Sequence, residues 1–225
     1  MTVAFVHTVG FLVDAFKARM TAELPDVPAF HILNESLLQD LLSGKPKADV
    51  HSRVADQILL ACEAGADLVV MTCSSTSPGV DLARARTQVP ILKIDDPMAA
   101  AAVAAGSDIT LVCTAASTVE PSSDLLRAHA GSKEIDISVL LLSDAYEAIL
   151  AGDRDRHDAL VTSAVAEAAA ATDAVVLAQA SLAHLQESLE PRTSTPILAS
   201  PPLLMAELRR RLGRKDHIAE GRVPA

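Results

Sequence analysis

The chain has 225 residues, half of them apolar but only 2% aromatic, so its core must be assembled mainly from Ala, Val, Leu and Ile. A formal net charge of −10 and the lack of a basic stripe argue against nucleic acid as a partner, because nothing would neutralise phosphates. The one basic cluster, Arg209-Arg210-Arg211 with Arg214 and Lys215, sits at the end of the last helical pattern and reads as cations complementing a helix C-terminus.

In chain order, a buried strand is predicted at Val3–Val6, followed by a helix over Val13–Ala22 that Leu24-Pro25 ends. A short strand follows at Phe30–Leu33, then helical patterns at Glu35–Leu42 and Val50–Ala64, with Gly65 as C-cap. A second buried strand, Leu68–Thr72, leads to a helix after Ser77-Pro78 and a strand at Ile91–Ile94. Pro97–Ala105 reads as a linking helix, with strands then expected at Ile109–Cys113, Ile135–Leu141, Ala174–Leu177 and Ile197–Ala199. Leu203–Leu212 reads as a final helix and Gly213 onward as a polar tail with disorder expected.

Three strand segments recur at one constant offset of 106 positions. They are Val3–Thr8 with Ile109–Thr114, Ala66–Met71 with Thr172–Leu177, and Pro90–Leu92 with Pro196–Leu198. Look-alike buried strands would explain the composition but not the fixed spacing, so a duplication is expected. The fold class is α/β: two pseudo-symmetric domains with mostly parallel sheets and an active site in the cleft between them. The halves are placed at residues 1–97, completed by the C-terminal helix 203–213, and at 98–202, with 214–225 as the tail.

The first eleven residues have no basic start and read as strand, so no signal peptide is expected. The apolar run Ala99–Ala105 is too short to span a bilayer, so no membrane association is expected either. Three cysteines without metal-like or disulfide-like spacing point to free thiols in a reducing cytoplasm. Neither a GxGxxG nor a P-loop pattern occurs, which leaves nucleotide binding unsupported.

Parallel sheets bind ligands at the carboxyl ends of their strands. After the second buried strand stands Cys73-Ser74-Ser75-Thr76-Ser77-Pro78-Gly79, a thiol followed by four hydroxyls at a helix entrance. Backbone N–H groups there would hold a carboxylate and favour a thiolate. The competing reading, a buried cysteine before a serine-rich N-cap, stays open on local sequence alone.

Val69-Val70-Met71-Thr72-Cys73-Ser74-Ser75-Thr76 resembles the first cysteine motif of the aspartate/glutamate/hydantoin racemase superfamily, and Thr114–Pro121 resembles its threonine-rich loop opening the second half. The tandem halves and the Pro-Ile-Leu strands also fit, over roughly residues 2–205. The resemblance implies an enzyme of that type working without pyridoxal phosphate or metal on a small carboxylate, an amino acid or a related acid, in a family that often forms homodimers. Cys73 would be general base or nucleophile, with Thr8, Ser74, Ser75, Thr76, Thr114, Ser117, Thr118 and Ser181 as substrate-binding groups.

The family's racemases carry a second cysteine in the second half, facing the opposite side of the substrate α-carbon. The repeat offset places Gln179 at that position, in Ala178-Gln179-Ala180-Ser181. An amide does not titrate but can orient a carboxylate or carbonyl, so two-base racemisation is put in question. Cys113, His184 and His7 stand as alternative proton carriers, His7 foremost because it ends the first strand. Cys62 reads as packing, and His51, His129 and His157 as surface. Asn34-Glu35-Ser36 borders the cleft or caps a helix, and Asp95-Asp96-Pro97 reads as a helix cap rather than a catalytic dyad. The rival chemistries are a single-cysteine decarboxylase or lyase, and a binding protein that has lost turnover.

Overall fold

The computed structural model describes residues 1–213; the tail expected at 214–225, with Arg214 and Lys215, lies outside the described residues. The first half runs β1 (Val3–His7), α1 (Gly10–Glu23), β2 (Ala29–Leu33), α2 (Ser36–Leu42), α3 (Lys47–Glu63), β3 (Leu68–Met71), α4 (Gly79–Arg84) and β4 (Ile91–Lys93). After α5 (Asp96–Ala105), the second half runs β5 (Asp108–Cys113), α6 (Ala116–Ala130), β6 (Asp136–Leu141), α7 (Ser143–Leu150), α8 (Arg154–Ala168), β7 (Ala174–Leu177), α9 (Gln186–Leu189) and β8 (Ile197–Ala199). The last helix is α10 (Ser200–Leu212).

Each half is a four-stranded parallel sheet, ordered β2-β1-β3-β4 and β6-β5-β7-β8. The registers repeat with the sequence offset: Val3 pairs with Leu68 as Ile109 pairs with Ala174, and Val69 with Ile91 as Val175 with Ile197. The duplication extends to a polar detail at the strand starts. Asp67 accepts the Thr2 backbone N–H at 2.7 Å, and Asp173 accepts the N–H groups of Ser107 and Asp108 at 2.7 and 3.0 Å.

The strands at the sheet centres are apolar without alternation because helices cover both faces. Val3, Phe5, Leu68 and Val70 point to one face of the first sheet, and Ala4, Val6, Val69 and Met71 to the other, all buried. Along α3, Val50, Val54, Ile58 and Ala61 recur at helical spacing and cover that second face. The two inter-half helices exchange partners. Met98, Ala99 and Ala102 of α5 pack on the second sheet, while Leu204, Met205 and Leu208 of α10 return to the first.

Three expectations need correction. Helix α1 begins at Gly10, three residues before the expected Val13, directly behind the end of β1. His157 is buried, not on the surface, because it continues the inward stripe of Val161 and Val165 on α8. Helix α10 begins at Ser200, three residues before the expected Leu203, whereas α4 starts at Gly79, after Ser77-Pro78 as expected, behind successive turns at 74–78. No helix of the described residues is long and apolar enough to cross a membrane.

Candidate active site

In a sheet ordered 2-1-3-4 the connections leave β1 and β3 in opposite directions, and a crevice opens between their carboxyl ends. The loops after β1 and β3 of one half meet those after β5 and β7 of the other. Between them lies a cavity of about 150 Å³. Cys73 lines it from the first half with Thr72, Ser74 and Ser75, and Gln179 lines it from the second with Ser117, Thr118 and Ser181. Cys73 is 7% exposed, enclosed yet reachable.

Gln179 is held firmly. Its Oε1 accepts hydrogen bonds from the Thr114 N–H at 2.6 Å, the Thr114 hydroxyl at 3.1 Å and the Ala115 N–H at 3.2 Å. Two backbone N–H donors on one side demand the oxygen there, so the amide nitrogen is the end left for the cavity. The expectation that Thr114 binds substrate is thereby corrected: its amide and hydroxyl are committed to Gln179, and it does not line the cavity.

The halves are clasped by hydroxyls. Ser75 Oγ lies 2.9 Å from Ser117 Oγ and 3.4 Å from Thr118 Oγ1. Ser117 and Thr118 belong to the first turn of α6; the Thr118 N–H is taken by the Ala115 carbonyl at 3.1 Å, which leaves the Ala116 and Ser117 N–H groups as the turn's open donors among the described residues. A neighbouring cavity of about 300 Å³ shares Ser75 and Ser117 and is lined further by Lys47, His51 and Glu120. His51 is thus half-buried in the inter-half groove, not a plain surface residue. Thr8 and Thr76 are buried with hydroxyls that find no partner among the described residues, and neither lines the Cys73 cavity.

The alternative proton carriers are placed elsewhere. His7 is 0% exposed, its Nδ1 2.9 Å from Thr72 Oγ1 and its Nε2 2.9 Å from His31 Nδ1. Its ring stacks with those of Phe5 and His31, and burial, with His31 and Lys17 nearby, pushes its pKa down to about 3. With both nitrogens engaged and no place on the wall of the Cys73 cavity, His7 ties β1 to β2 and to Thr72 just after β3. Cys113 is fully buried, and that burial pushes its thiol up to about 12. His184 lies in a 3₁₀ turn, bonded to Ser181 O at 2.8 Å and Asp158 Oδ2 at 2.9 Å, outside the cavity. Cys62 packs half-buried against the first-half core.

Asp95 is a residue that sequence reasoning took for a cap. Its side chain makes no cap; the carboxyl turns inward and accepts from Ser200 Oγ, with the Ser74 hydroxyl close by, and burial raises its pKa to about 6. It therefore stands directly behind a cavity-lining serine. Asp96 accepts the Lys93 backbone N–H at 2.8 Å. Ser36 bonds Asn34 at 2.6 Å, away from the cavity. Phe11, Leu38, Leu42 and Tyr146, which had no motif to announce them, complete the cavity wall. Among the described residues no group of three or more His, Cys, Asp or Glu side chains is placed to hold a metal ion.

Fold and site together define a class: duplicated parallel α/β halves with a thiol at one strand end and a hydroxyl-rich cleft between them. The chain belongs to the Asp/Glu/hydantoin racemase family, whose model matches residues 10–208. Among solved structures it is similar to an aspartate racemase from Picrophilus torridus, with 14% identity, 94% of each chain covered and a TM-score of 0.72. An allantoin racemase from Klebsiella pneumoniae is similar at 18% identity, covering 95% of this chain and 89% of that one, with a TM-score of 0.69. A mutant of arylmalonate decarboxylase in a sulfate-associated form is similar at 20% identity, covering 96% and 94%, with a TM-score of 0.66. Comparison with curated protein sequences gives no match.

Proposed function

We propose that the chain is a cofactor-independent racemase-family isomerase of a small carboxylate, in which Cys73 moves a proton on one face of the substrate. The observation that carries this reading is the composition of the cavity: the first half contributes one thiol, Cys73, and the second an amide, Gln179, that cannot titrate. His7, Cys113 and His184 supply no second acid, each being enclosed or engaged elsewhere.

The substrate carboxylate would sit at the first turn of α6, against the Ser117 and Thr118 hydroxyls and the Ala116 and Ser117 N–H groups, with Ser75 from the other half. The Cys73 thiolate takes the α-proton, leaving an enediolate whose charge the same donors stabilise, a contribution worth about 3 kcal/mol per donor in comparable sites. Where a carbonyl or C=C group is conjugated to the α-carbon, the thiol returns the proton to the same face at the far end of that system, which shifts the double bond. Return to the α-carbon itself only exchanges the proton with solvent, and either way the thiolate is regenerated. Gln179 Nε2 would orient the substrate from the opposite side.

A second reading is a single-thiol decarboxylase, favoured by the same one-sided cavity and by the likeness to arylmalonate decarboxylase. There CO₂ leaves with its bond electrons retained on carbon, and the Cys73 thiol protonates the carbanion. Incubating the protein with candidate acids in deuterated water separates the two. Deuterium uptake without gas release supports the isomerase, CO₂ release supports the decarboxylase, and neither across the panel leaves a binding protein.

A further inference from the structure

We infer that the substrate carries a single anionic group and a compact, uncharged apolar side group, received by Phe11, Leu38, Leu42 and Tyr146; aspartate and glutamate are excluded. The inference rests on the site proposed above and adds its substrate class.

The first support is electrostatic. Among the described residues no acidic or basic side chain lines the Cys73 cavity, and Lys47 in the neighbouring cavity is paired with Glu120. An α-ammonium would meet no carboxylate, and a second carboxylate would meet no cation. The donor set in the second half that could hold another anionic oxygen, the Thr114 N–H and hydroxyl with the Ala115 N–H, is already filled by the Gln179 carbonyl. An unpaired charge taken into such a space loses its hydration without compensation.

The second support is steric and apolar. Phe11 and Leu42 are 56% and 54% exposed and stand together on the wall of one cavity, where grouped apolar surface marks a ligand-binding groove. They stand on α1 and α2 of the first half, and Tyr146 on α7 faces them from the second. The chain has only four Phe and one Tyr, and two of these five aromatics flank this cavity. A space of about 150 Å³ matches one ring-sized apolar group, as benzene-binding cavities of that size show.

The test is protection of Cys73 from alkylation by iodoacetamide in the full chain, read on the Cys73 peptide by mass spectrometry, with Cys62 as the internal control. Mandelate is the apolar probe; aspartate and glutamate are the charged ones. Mandelate is expected to slow Cys73 labelling at concentrations about tenfold or more below those at which either amino acid does. Leu42→Asp, at an exposed position that tolerates charge, is expected to weaken mandelate protection about tenfold. Equal or better protection by aspartate or glutamate would overturn the inference, and so would no protection by mandelate. Deuterium exchange keeps the two proposals apart. Mandelate protection without exchange of any acid would retain the substrate class and sink the proton-transfer reading. Exchange of aspartate alone would do the reverse.

Discussion

The side-chain oxygen of Gln179 lies 2.6 Å from the backbone nitrogen of Thr114, so the residue that the repeat offset pairs with Cys73 is bolted to the loop that opens the second half. Three donors converge on that oxygen. Gln179→Ala leaves two N–H groups unpaired and is expected to cost about 1–3 kcal/mol in urea unfolding, whereas Gln179→Glu keeps the acceptor and should cost less. Equal losses in the two variants would show that the hydrogen bonds do not matter.

Gln179→Cys places a thiol on the second face of the cavity. The variant is expected to scramble the α-carbon of a substrate whose configuration the wild type preserves, measured by chiral chromatography. A folded Gln179→Cys protein that leaves optical purity intact would remove Gln179 from the face opposite Cys73.

Two buried groups give opposite pH dependences. His7 has a folded pKa of about 3 against 6.5 when unfolded, so the unfolded chain binds the extra proton between those values. Its stabilising contribution is full above pH 6.5 and is lost as pH falls towards 3. His7→Gln should flatten the acid limb of a plot of Tm against pH; an unchanged limb would contradict the assignment.

For Asp95 the sign reverses. Its folded pKa of about 6 exceeds the ordinary 3.8, so the folded chain holds the proton and stability falls as pH rises between them. The penalty above pH 6 is on the order of 1–3 kcal/mol. Asp95→Asn retains an acceptor for Ser200 and is expected to be more stable than wild type at pH 7.5 but not at about pH 4, measured by thermal unfolding. A loss of stability at both pH values would mean that the carboxylate itself is needed.

Gly79 stands where α4 meets α3. A Cβ there would lie 2.7 Å from both the His51 carbonyl oxygen and the Val54 Cβ, backbone and core atoms that cannot swing away. Gly79→Ala is expected to cost about 1–3 kcal/mol, read from the unfolding midpoint. A neutral result would mean that α3 moves aside freely.

The strands and their duplication were legible because a central parallel strand needs an uninterrupted apolar run, and such runs recur in this chain at a fixed spacing. Cys73 and Gln179 were legible because strand ends face the crevice. The cavity wall was not: Phe11, Leu38, Leu42 and Tyr146 reach it only through the way α1, α2 and α7 fold over the cleft. The single tyrosine in an aromatic-poor chain was the one available signal. His7 and Asp95 misled in opposite directions. A strand-end histidine turned inward to His31, and an apparent helix cap turned inward to Ser200. In both cases the partner lies on another element, beyond the reach of local pattern.

The most direct test of one-sided chemistry by Cys73 is the fate of a single enantiomer of an accepted acid in deuterated water. Wild type is expected to place deuterium at carbon with one configuration only, and Cys73→Ser to lose that incorporation while keeping its fold. Racemic labelled product from wild type, or undiminished exchange in Cys73→Ser, would contradict the account.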